Sequence, residues 1–562
     1  MTIAQRLDLP EMLGRLLALR GVGVDQAADF LTPTLRALLP DPSVFVDMDR
    51  AAARLAAAVA RSECVAVFGD YDVDGACSSA VMITVLRGLG CTVLPYVPDR
   101  LAEGYGPNLP ALRGLTDQGA TLVVCVDCGT GAGAVLDGLR GRADVLVLDH
   151  HKAEGPPPDI VATVNPNRLD CPSGHHHLCA GAIAFLTVIA TLRELRRTGW
   201  FDARRPPDLM DLLDLVALST VCDVMPLTGL NRALVTQGLR VMARRARPGI
   251  AALLDVSMAK DAPNAMTLGF ALGPRINAAG RIDQADLGLR LLLCEDDFEA
   301  RIIAVQLDAV NRQRQVVEAD MLDAAMLSAA DQIAAGHAAV LVAGAQWHPG
   351  VVGIVAGRIK ERFNRPACVA GLADGMAKGS GRSVPGIDLG AAVIAARQAG
   401  LLSSGGGHAM AAGFSLPAAG VDAFHAFLDN RLAAAASLPS SVDVAIEASV
   451  AVSGCTTELA LSLARLAPFG NGNAEPMLVL PRVRVVRAER VGREGLTIRA
   501  FIEGEGGGSR LKAVMFRARE GRLSDALLDR AGAALHLVGH LRAETWNGNV
   551  TPSFMVVDAA VA

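Results

Sequence analysis

From about residue 50 the chain sets short, unbroken aliphatic runs between Ala-rich stretches of helical spacing. The runs read CVAVFGD, TVLPYVP, TLVVCVD and DVLVLDH, and a helix is expected over 78–89, after the first of them. Strands apolar at every position, rather than at every second one, belong in a parallel sheet whose two faces are both covered by helices. Polar residues gather where these runs end. Open parallel sheets collect ligands at the carboxyl ends of their strands, so that placement points to a site.

The region 232–335 has helical spacing, with Phe298, Ile302, Val305 and Ala309 along one face and a polar turn expected over 311–314. A second α/β unit follows: a strand at HAAVLVAG, a helix over 351–363, a strand at PACVAGL, and a glycine-rich turn in GGGHAMAAGFSL. AAAASLPSS (433–441) reads as a linker. Beyond it VRVVRAE, LTIRAFIEG, LKAVMFRA and ALHLVGHLRA predict an all-β module of barrel size. The chain therefore divides into a partly helical lead-in (1–48, broken by Pro33 and Pro40), an α/β domain (49–231), a helical connector (232–335), a smaller α/β domain (336–436) and an all-β module (441–562). No function is assigned to the lead-in.

A length of 562 residues already requires several cores. Apolar residues make up 51%, which raises the question of a membrane span. The longest mostly apolar stretch, 180–192, is too short to cross a bilayer and runs into Arg193 and Glu194, so a buried helix is expected. MTIAQRLDLP lacks a secretory pattern, and the eleven cysteines follow no disulfide framework. The expectation is a cytoplasmic protein with reduced thiols and no membrane association. A net charge of −5 does not mark a nucleic-acid binder. Between Arg482 and Arg522, however, basic residues outnumber acids. A solvated strand face and a phosphate-tracking surface both explain such a run.

The acids at the strand ends form four motifs: GDYDVDG (Asp70, Asp72, Asp74), VDCG (Asp127), LDHH (Asp149, His150, His151) and CDVMP (Asp223). Two divalent cations close together repel each other and need several converging carboxylates. Oxygen ligands with one or two imidazoles suit Mn2+ or Mg2+, whereas zinc recruits thiolates or several histidines. Phosphoester hydrolysis is the reaction such a pair performs. An isolated Asp-x-Asp is usually a turn or a helix cap; four motifs in order at strand ends are not isolated.

Competing constellations are weaker. Cys171, His175, His176, His177 and Cys179 offer zinc ligand types, but in a Pro- and Gly-containing loop without a matching second half. Cys125-x-x-Cys128 has redox spacing, yet a continued strand would point the two thiols apart and favours core packing. GTGAG after the third run lacks the dinucleotide spacing.

The ordered motifs resemble the DHH phosphoesterase superfamily. GPRINAAGRI, WHPGVVGIVAGRIKERFNRP, GSGRS and GGGHAMAAG resemble its RecJ-type branch, the single-strand-specific exonucleases. The likeness runs from about Val65 to the end. It implies an α/β architecture: a parallel-sheet DHH domain, a long helical connector, a smaller α/β DHHA1 domain that binds substrate, and a C-terminal OB-fold that binds nucleic acid, whose comparison the WNGN turn (Trp546 to Asn549) fits.

The implied activity is 5′-to-3′ hydrolysis of single-stranded DNA to 5′-mononucleotides in recombination and repair, with two Mn2+ or Mg2+ ions. Asp72 and Asp74 would bind one metal each, Asp127 would bridge, and His150 with Asp223 would complete the coordination of the second ion. Many relatives carry a histidine where this chain has Phe68, which leaves Asp70 either a ligand or a loop support. Asp149 would orient His150, and His151 would meet the scissile phosphate or the leaving group. Ser380, Arg382, Gly406, Gly407 and His408 would hold phosphate, and Arg100, Arg275 and Arg281 would face the strand. Tyr105 would stack on a base or serve as a buried structural tyrosine. A single-strand-binding protein and a helicase are the candidate partners, and nothing demands more than a monomer. The rivals are a small-substrate DHH enzyme, such as an oligoribonuclease or cyclic-dinucleotide phosphodiesterase, and a non-catalytic DNA-binding replication scaffold.

Overall fold

The computed structural model describes residues 2–562 except 101, 154, 260, 440–442, 493–494, 519–520, 530–532 and 547. Five strands, β1 (Cys64–Gly69), β2 (Thr92–Tyr96), β3 (Leu122–Val126), β4 (Asp144–Leu148) and β5 (Ala162–Val164), form a parallel sheet in the order β2-β1-β3-β4-β5. The unbroken apolar runs have a direct reason. Val65, Val67, Val124, Leu146 and Leu148 enter the core on one face, while Ala66, Phe68, Val123, Val145 and Val147 enter a second core on the other. The strand order reverses at β1 and β3, and it is there that a crevice opens at the carboxyl ends.

The helix expected over 78–89 begins five residues earlier, as Val73–Gly88. Asp72 caps it by accepting a hydrogen bond from the Gly75 N–H at 3.0 Å, so the acidic motif starts the helix instead of preceding it. The apolar stretch 180–192 lies in the buried helix Ala180–Arg197. No helix among the described residues is long and apolar enough to cross a membrane.

The connector is helical and ends in Asp297–Ala334, a helix of 38 residues and about 57 Å. One expectation holds here and one fails. Phe298, Ile302, Val305 and Ala309 do have helical spacing, but they face solvent; Ile303, Ala304, Leu307 and Val310 are the buried set. No turn interrupts the helix at 311–314. Asn311 and Arg314 are instead buried inside the turn of helix that passes the cleft, where Arg314 donates to Asn311 Oδ1 (3.2 Å) and pairs with Glu318.

A second sheet, β6 (Val340–Ala345), β7 (Ala367–Ala373), β8 (Met376–Arg382), β9 (Ser404–His408) and β10 (Ala411–Pro417), runs β6-β7-β8-β10-β9 and carries the helix Val352–Phe363. The glycine-rich segment is not a turn. It is the edge strand β9, paired antiparallel with β10.

The C-terminal strands β11 (Ala448–Ser449), β12 (Leu478–Val491), β13 (Thr497–Gly504), β14 (Arg510–Phe516), β15 (Leu535–Trp546) and β16 (Asn549–Val561) pair as β11-β12-β13-β14-β16-β15. Because β12 also pairs with β15, five of them close into a barrel without a free edge. The WNGN turn includes residue 547 and lies outside the described residues.

The lead-in has two allegiances. Ile3, Leu13, Leu16, Leu17 and Ala27 belong to the core of the barrel, whereas Phe45 and Met48 belong to that of the first sheet.

Candidate metal centre

Three neighbouring strands end in the acidic motifs: β1 hands over to Asp70, β3 to Asp127 and β4 to Asp149, His150 and His151. Asp223 arrives from another direction, as the C-cap of the helix Leu213–Cys222. Small residues make the convergence sterically feasible. A Cβ on Gly75 would stand 2.3 Å from the Asp70 carbonyl oxygen, and one on Gly280 would stand 2.6 Å from that of Tyr71. Asp127 itself has φ 60°, a left-handed conformation more common in Asp than in most residues.

These groups meet around one imidazole. His150 Nε2 lies 3.3 Å from Asp127 Oδ1, 3.4 Å from Asp223 Oδ2 and 3.6 Å from Asp74 Oδ2. Three triads have ligand atoms within 4.8 Å of one another: Asp70, Asp72 and Asp127; Asp74, His150 and Asp223; Asp127, His150 and His151. Asp127 thus links the first triad to the imidazoles. Asp74 is fixed from behind by the N–H groups of Ala180 (2.7 Å) and Gly181 (2.8 Å) and by the Ser219 hydroxyl.

The electrostatics of this cluster call for a cation. Asp70 Oδ1, Asp127 Oδ1 and Asp223 Oδ2 are buried without a hydrogen-bond partner. Burial, reinforced by neighbouring carboxylates, pushes Asp70 up to about 8 and Asp223 up to about 9, and raises Asp74 and Asp127 as well. His150 does not supply the missing charge, because burial holds it below its ordinary value. Converging carboxylate oxygens with a neutral imidazole fit hard divalent cations such as Mn2+ or Mg2+.

Asp149 is different in kind. Burial would raise it, but hydrogen bonds from His151 Nδ1 (2.8 Å) and from the N–H groups of Thr130 (3.0 Å), His150 (2.7 Å) and His151 (3.1 Å) hold it below the usual carboxylate range. Burial works against a charged His151, yet the Asp149 hydrogen bond and charge lift it to about 9. Asp149 therefore touches His151 by its side chain and His150 only through the backbone. The Tyr105 hydroxyl donates to the Asp127 carbonyl (3.1 Å) and meets the His151 ring, while its residue surface stays 54% exposed.

Across the cleft, Arg100 stacks over Tyr71 at 4.8 Å. Arg281 donates to the Gly350 carbonyl (2.9 Å) and is pushed down to about 10 by burial and by the charges of Arg100, Arg314 and Arg382. Arg382 donates to Ser380 Oγ at 2.9 Å, and Gly353, in the first turn of the helix Val352–Phe363, packs against both. Arg275 is placed elsewhere: Asp308 (2.9 Å) and the Ala271 carbonyl (2.7 Å) hold its guanidinium between connector helices. Gly406, Gly407 and His408 lie along β9, with His408 exposed.

Several contributors escaped the sequence reading. Asn277 accepts from the Val73 N–H (3.1 Å) and fixes the start of the acidic helix. Asn165 and Asn167 donate to the carbonyls of His151 (2.8 Å) and His150 (2.6 Å). Their signal was available, since VATVNPN places two amides just past a strand. Cys125 and Cys128 lie in one apolar cluster with their thiols in contact, because the left-handed Asp127 turns the chain back on itself. Cys171 and Cys179 are buried in the main core, Cys179 against the Ser219 hydroxyl (3.0 Å), and His176 bonds the Pro166 carbonyl.

Comparison with known proteins agrees with this geometry. Three family models match: DHH family, N-terminal domain, over residues 64–220; DHHA1 domain over 336–434; and RecJ OB domain over 446–558. The single-stranded-DNA-specific exonuclease RecJ of Dickeya dadantii is 39% identical over 91% of this chain and 89% of its own length. That of Escherichia coli is 38% identical, with the same coverage of both chains. The crystal structure of RecJ in complex with Mn2+ from Thermus thermophilus superposes with a TM-score of 0.82 at 30% identity, covering 100% of this chain and 77% of that one. A complex of the Thermus thermophilus protein with Mg2+ gives 0.76 at 28% identity, covering 99% and 76%. With its three domains matched in order and full-length relatives well above 30% identity, the chain belongs to the RecJ family of single-stranded-DNA-specific exonucleases.

Proposed function

We propose that this protein degrades single-stranded DNA from its 5′ end and releases 5′-mononucleotides, as a metal-dependent phosphodiesterase of recombination and repair. The observation that carries the reading is the buried carboxylate cluster with three orphaned oxygens, two of them, Asp127 Oδ1 and Asp223 Oδ2, within 3.4 Å of His150 Nε2. Asp72 and Asp70 with Asp127 would hold one divalent cation, Mn2+ or Mg2+. Asp74, His150 and Asp223, again with Asp127, would hold a second. Bound there, divalent ions supply charge to the phosphate and acidify water.

The remaining work belongs to side chains. Asp149 holds His151 by Nδ1, and Nε2, which lies 3.3 Å from the Tyr105 hydroxyl, is the nitrogen that would donate a proton toward the departing 3′ oxygen. Tyr105 keeps that ring against the Asp127 carbonyl and turns its exposed ring toward a base. Arg281 and Arg100 line the path of the strand. Ser380 and Arg382 take the terminal phosphate, the guanidinium offering its planar fork, and Gly406, Gly407 and His408 extend that wall. Arg275 acts as a clamp between helices and not on the strand.

On the barrel, Arg487, Phe501 and Lys512 are successive cross-strand partners, an aromatic between two cations suited to a flexible single strand. This favours long substrates over the dinucleotides of small DHH enzymes, and the intact set Asp72, Asp74, Asp127, His150 and Asp223 argues against a non-catalytic scaffold. A single-strand-binding protein and a helicase remain the partners expected of such an exonuclease, with the chain acting as a cytoplasmic monomer.

The test is release of label from single- and double-stranded DNA tagged at either end, with Mn2+, with Mg2+ and with chelator. The reading expects nucleotide release from the 5′ end of single strands only, abolished by chelator. Release from the 3′ end, or activity in chelator, would refute it.

A further inference from the structure

Asp223 is the one acid of the cluster not delivered by the first sheet, and its support comes from the other end of the sequence. It caps a helix whose next residue, Val224, has φ 56°. A β-branched side chain in the left-handed region is an outlier that persists only where its surroundings enforce it. Here a loop of the barrel module reaches across. Asn471 Nδ2 donates to the Val224 carbonyl at 2.8 Å, and the Asn471 carbonyl accepts from the Leu227 N–H at 2.7 Å. The loop lies flat on the turn: a Cβ on Gly470 would meet Leu227 at 2.8 Å, and one on Gly472 would meet Pro226 at 3.0 Å.

The loop is itself anchored. Asn473 donates to the Leu466 and Pro468 carbonyls (both 2.8 Å), and Arg20 of the lead-in binds Asn473, the Ala474 carbonyl (2.9 Å) and Glu447 (2.9 Å). Arg232, almost fully buried beside the Asp223 turn in sequence, donates to Phe30 O (2.8 Å) and Ala467 O (2.6 Å), tying lead-in, barrel loop and catalytic domain together.

We infer that Asn471 is a positioning residue for the metal centre: the barrel module completes the scaffold that aims Asp223 at His150, in addition to any hold it has on DNA. The inference rests on the proposal that Asp223 is a metal ligand. It gives the lead-in a purpose, since Arg20 braces the loop from the far side.

The experiment is calorimetric titration of the metal-free full-length protein with MnCl2, for wild type, Asn471→Ala, Val224→Gly and the double variant, with hydrolysis of single-stranded DNA at saturating concentration measured in parallel. Asn471→Ala should weaken Mn2+ binding about tenfold and raise the Mn2+ needed for half-maximal hydrolysis equally. Glycine adopts the left-handed turn without strain, so Val224→Gly should recover most of that loss in the double variant. Unchanged Mn2+ affinity in Asn471→Ala, with only long-strand binding impaired, would overturn the inference and leave the barrel as a tether. A loss that Val224→Gly does not restore would overturn it too. Failure of the wild type to bind Mn2+ would instead sink the proposed function.

Discussion

The carboxyl edge of the first sheet and the outer face of the barrel each concentrate one sign of charge in the sequence, and folding treats them in opposite ways. At the sheet edge the carboxylates are buried and face one another, with orphaned oxygens at Asp70, Asp127 and Asp223. On the barrel the cations stay in water and find partners: Arg482 with Glu505, Arg487 and Arg499 with Glu489, Arg510 with Glu503 and Lys512 with Glu544. A cluster of like charges is informative about ligands when it is desolvated and uncompensated, because only then does the fold leave a deficit for a ligand to fill. Exposed, paired charges leave no such deficit, so on the barrel the reading rests on Phe501 standing between Arg487 and Lys512 and not on the charge excess itself.

The sharpest way to break that contrast is to remove charge from the buried side. Asp127→Asn should cut hydrolysis by about a thousandfold or more, since Asp127 belongs to two of the three triads. The same change should stabilise the metal-free protein, by on the order of 1 kcal/mol, because a neutral amide replaces an unpartnered buried carboxylate. Thermal melts with and without Mn2+ read both effects. Loss of activity together with lower metal-free stability would mean that Asp127 is already compensated, and the contrast would fail.

The second test addresses the wall facing the acids. Arg382 is largely enclosed, its charge opposed by burial and by Arg100 rather than balanced by a carboxylate. Arg382→Ala should raise KM for 5′-phosphorylated single strands by about 10- to 100-fold, the worth of a hydrogen bond to a charged group. A 5′-hydroxyl strand should show little of that penalty. Equal penalties on both strands would place Arg382 away from the terminal phosphate.

How far the sequence revealed all this follows the same division. The parallel sheet was readable because its strands are apolar on both faces, and the acids because strand ends are where such sheets bind ligands. The phase of the long helix was not. Phe298, Ile302 and Val305 are the more hydrophobic stripe, yet small Ala300 and Ala304 with Ile303 and Leu307 pack inward, where close approach to neighbouring helices outweighs side-chain size. Arg314 has the sequence signature of a turn because a buried arginine looks polar until its partners, Asn311 and Glu318, are placed by the fold. The glycine-rich edge strand has the composition of a turn for a related reason: GGGH lacks strand propensity, and its extended state comes from pairing with β10. Asn471 left no local signal, since its contact with Val224 spans 247 residues.

On the barrel the effects should be smaller and depend on salt. Arg487→Ala combined with Lys512→Ala should weaken binding to long single strands and lower the salt slope by about 0.7 per lost phosphate contact, a loss that shrinks on dinucleotides. Fluorescence anisotropy at several salt concentrations measures it. An unchanged slope would leave this face as solvated strand alone.

The smallest expected effect completes the comparison from its exposed side. Arg499 forms a short pair with Glu489 across β12 and β13, but its side chain is 45% exposed and that of Glu489 31%. Holding two such chains in one geometry costs entropy that offsets most of the attraction, and water and salt screen what remains. Arg499→Ala should therefore change stability by no more than about 0.5 kcal/mol in denaturant melts, despite losing two hydrogen bonds to Glu489. It also leaves Glu489 to Arg487 alone, so strand affinity should fall slightly as Arg487 becomes the sole counter-ion and is held more firmly by its carboxylate. A destabilisation of several kcal/mol would show that the barrel face is an integrated ion network, and exposure would then no longer separate it from the metal-binding edge.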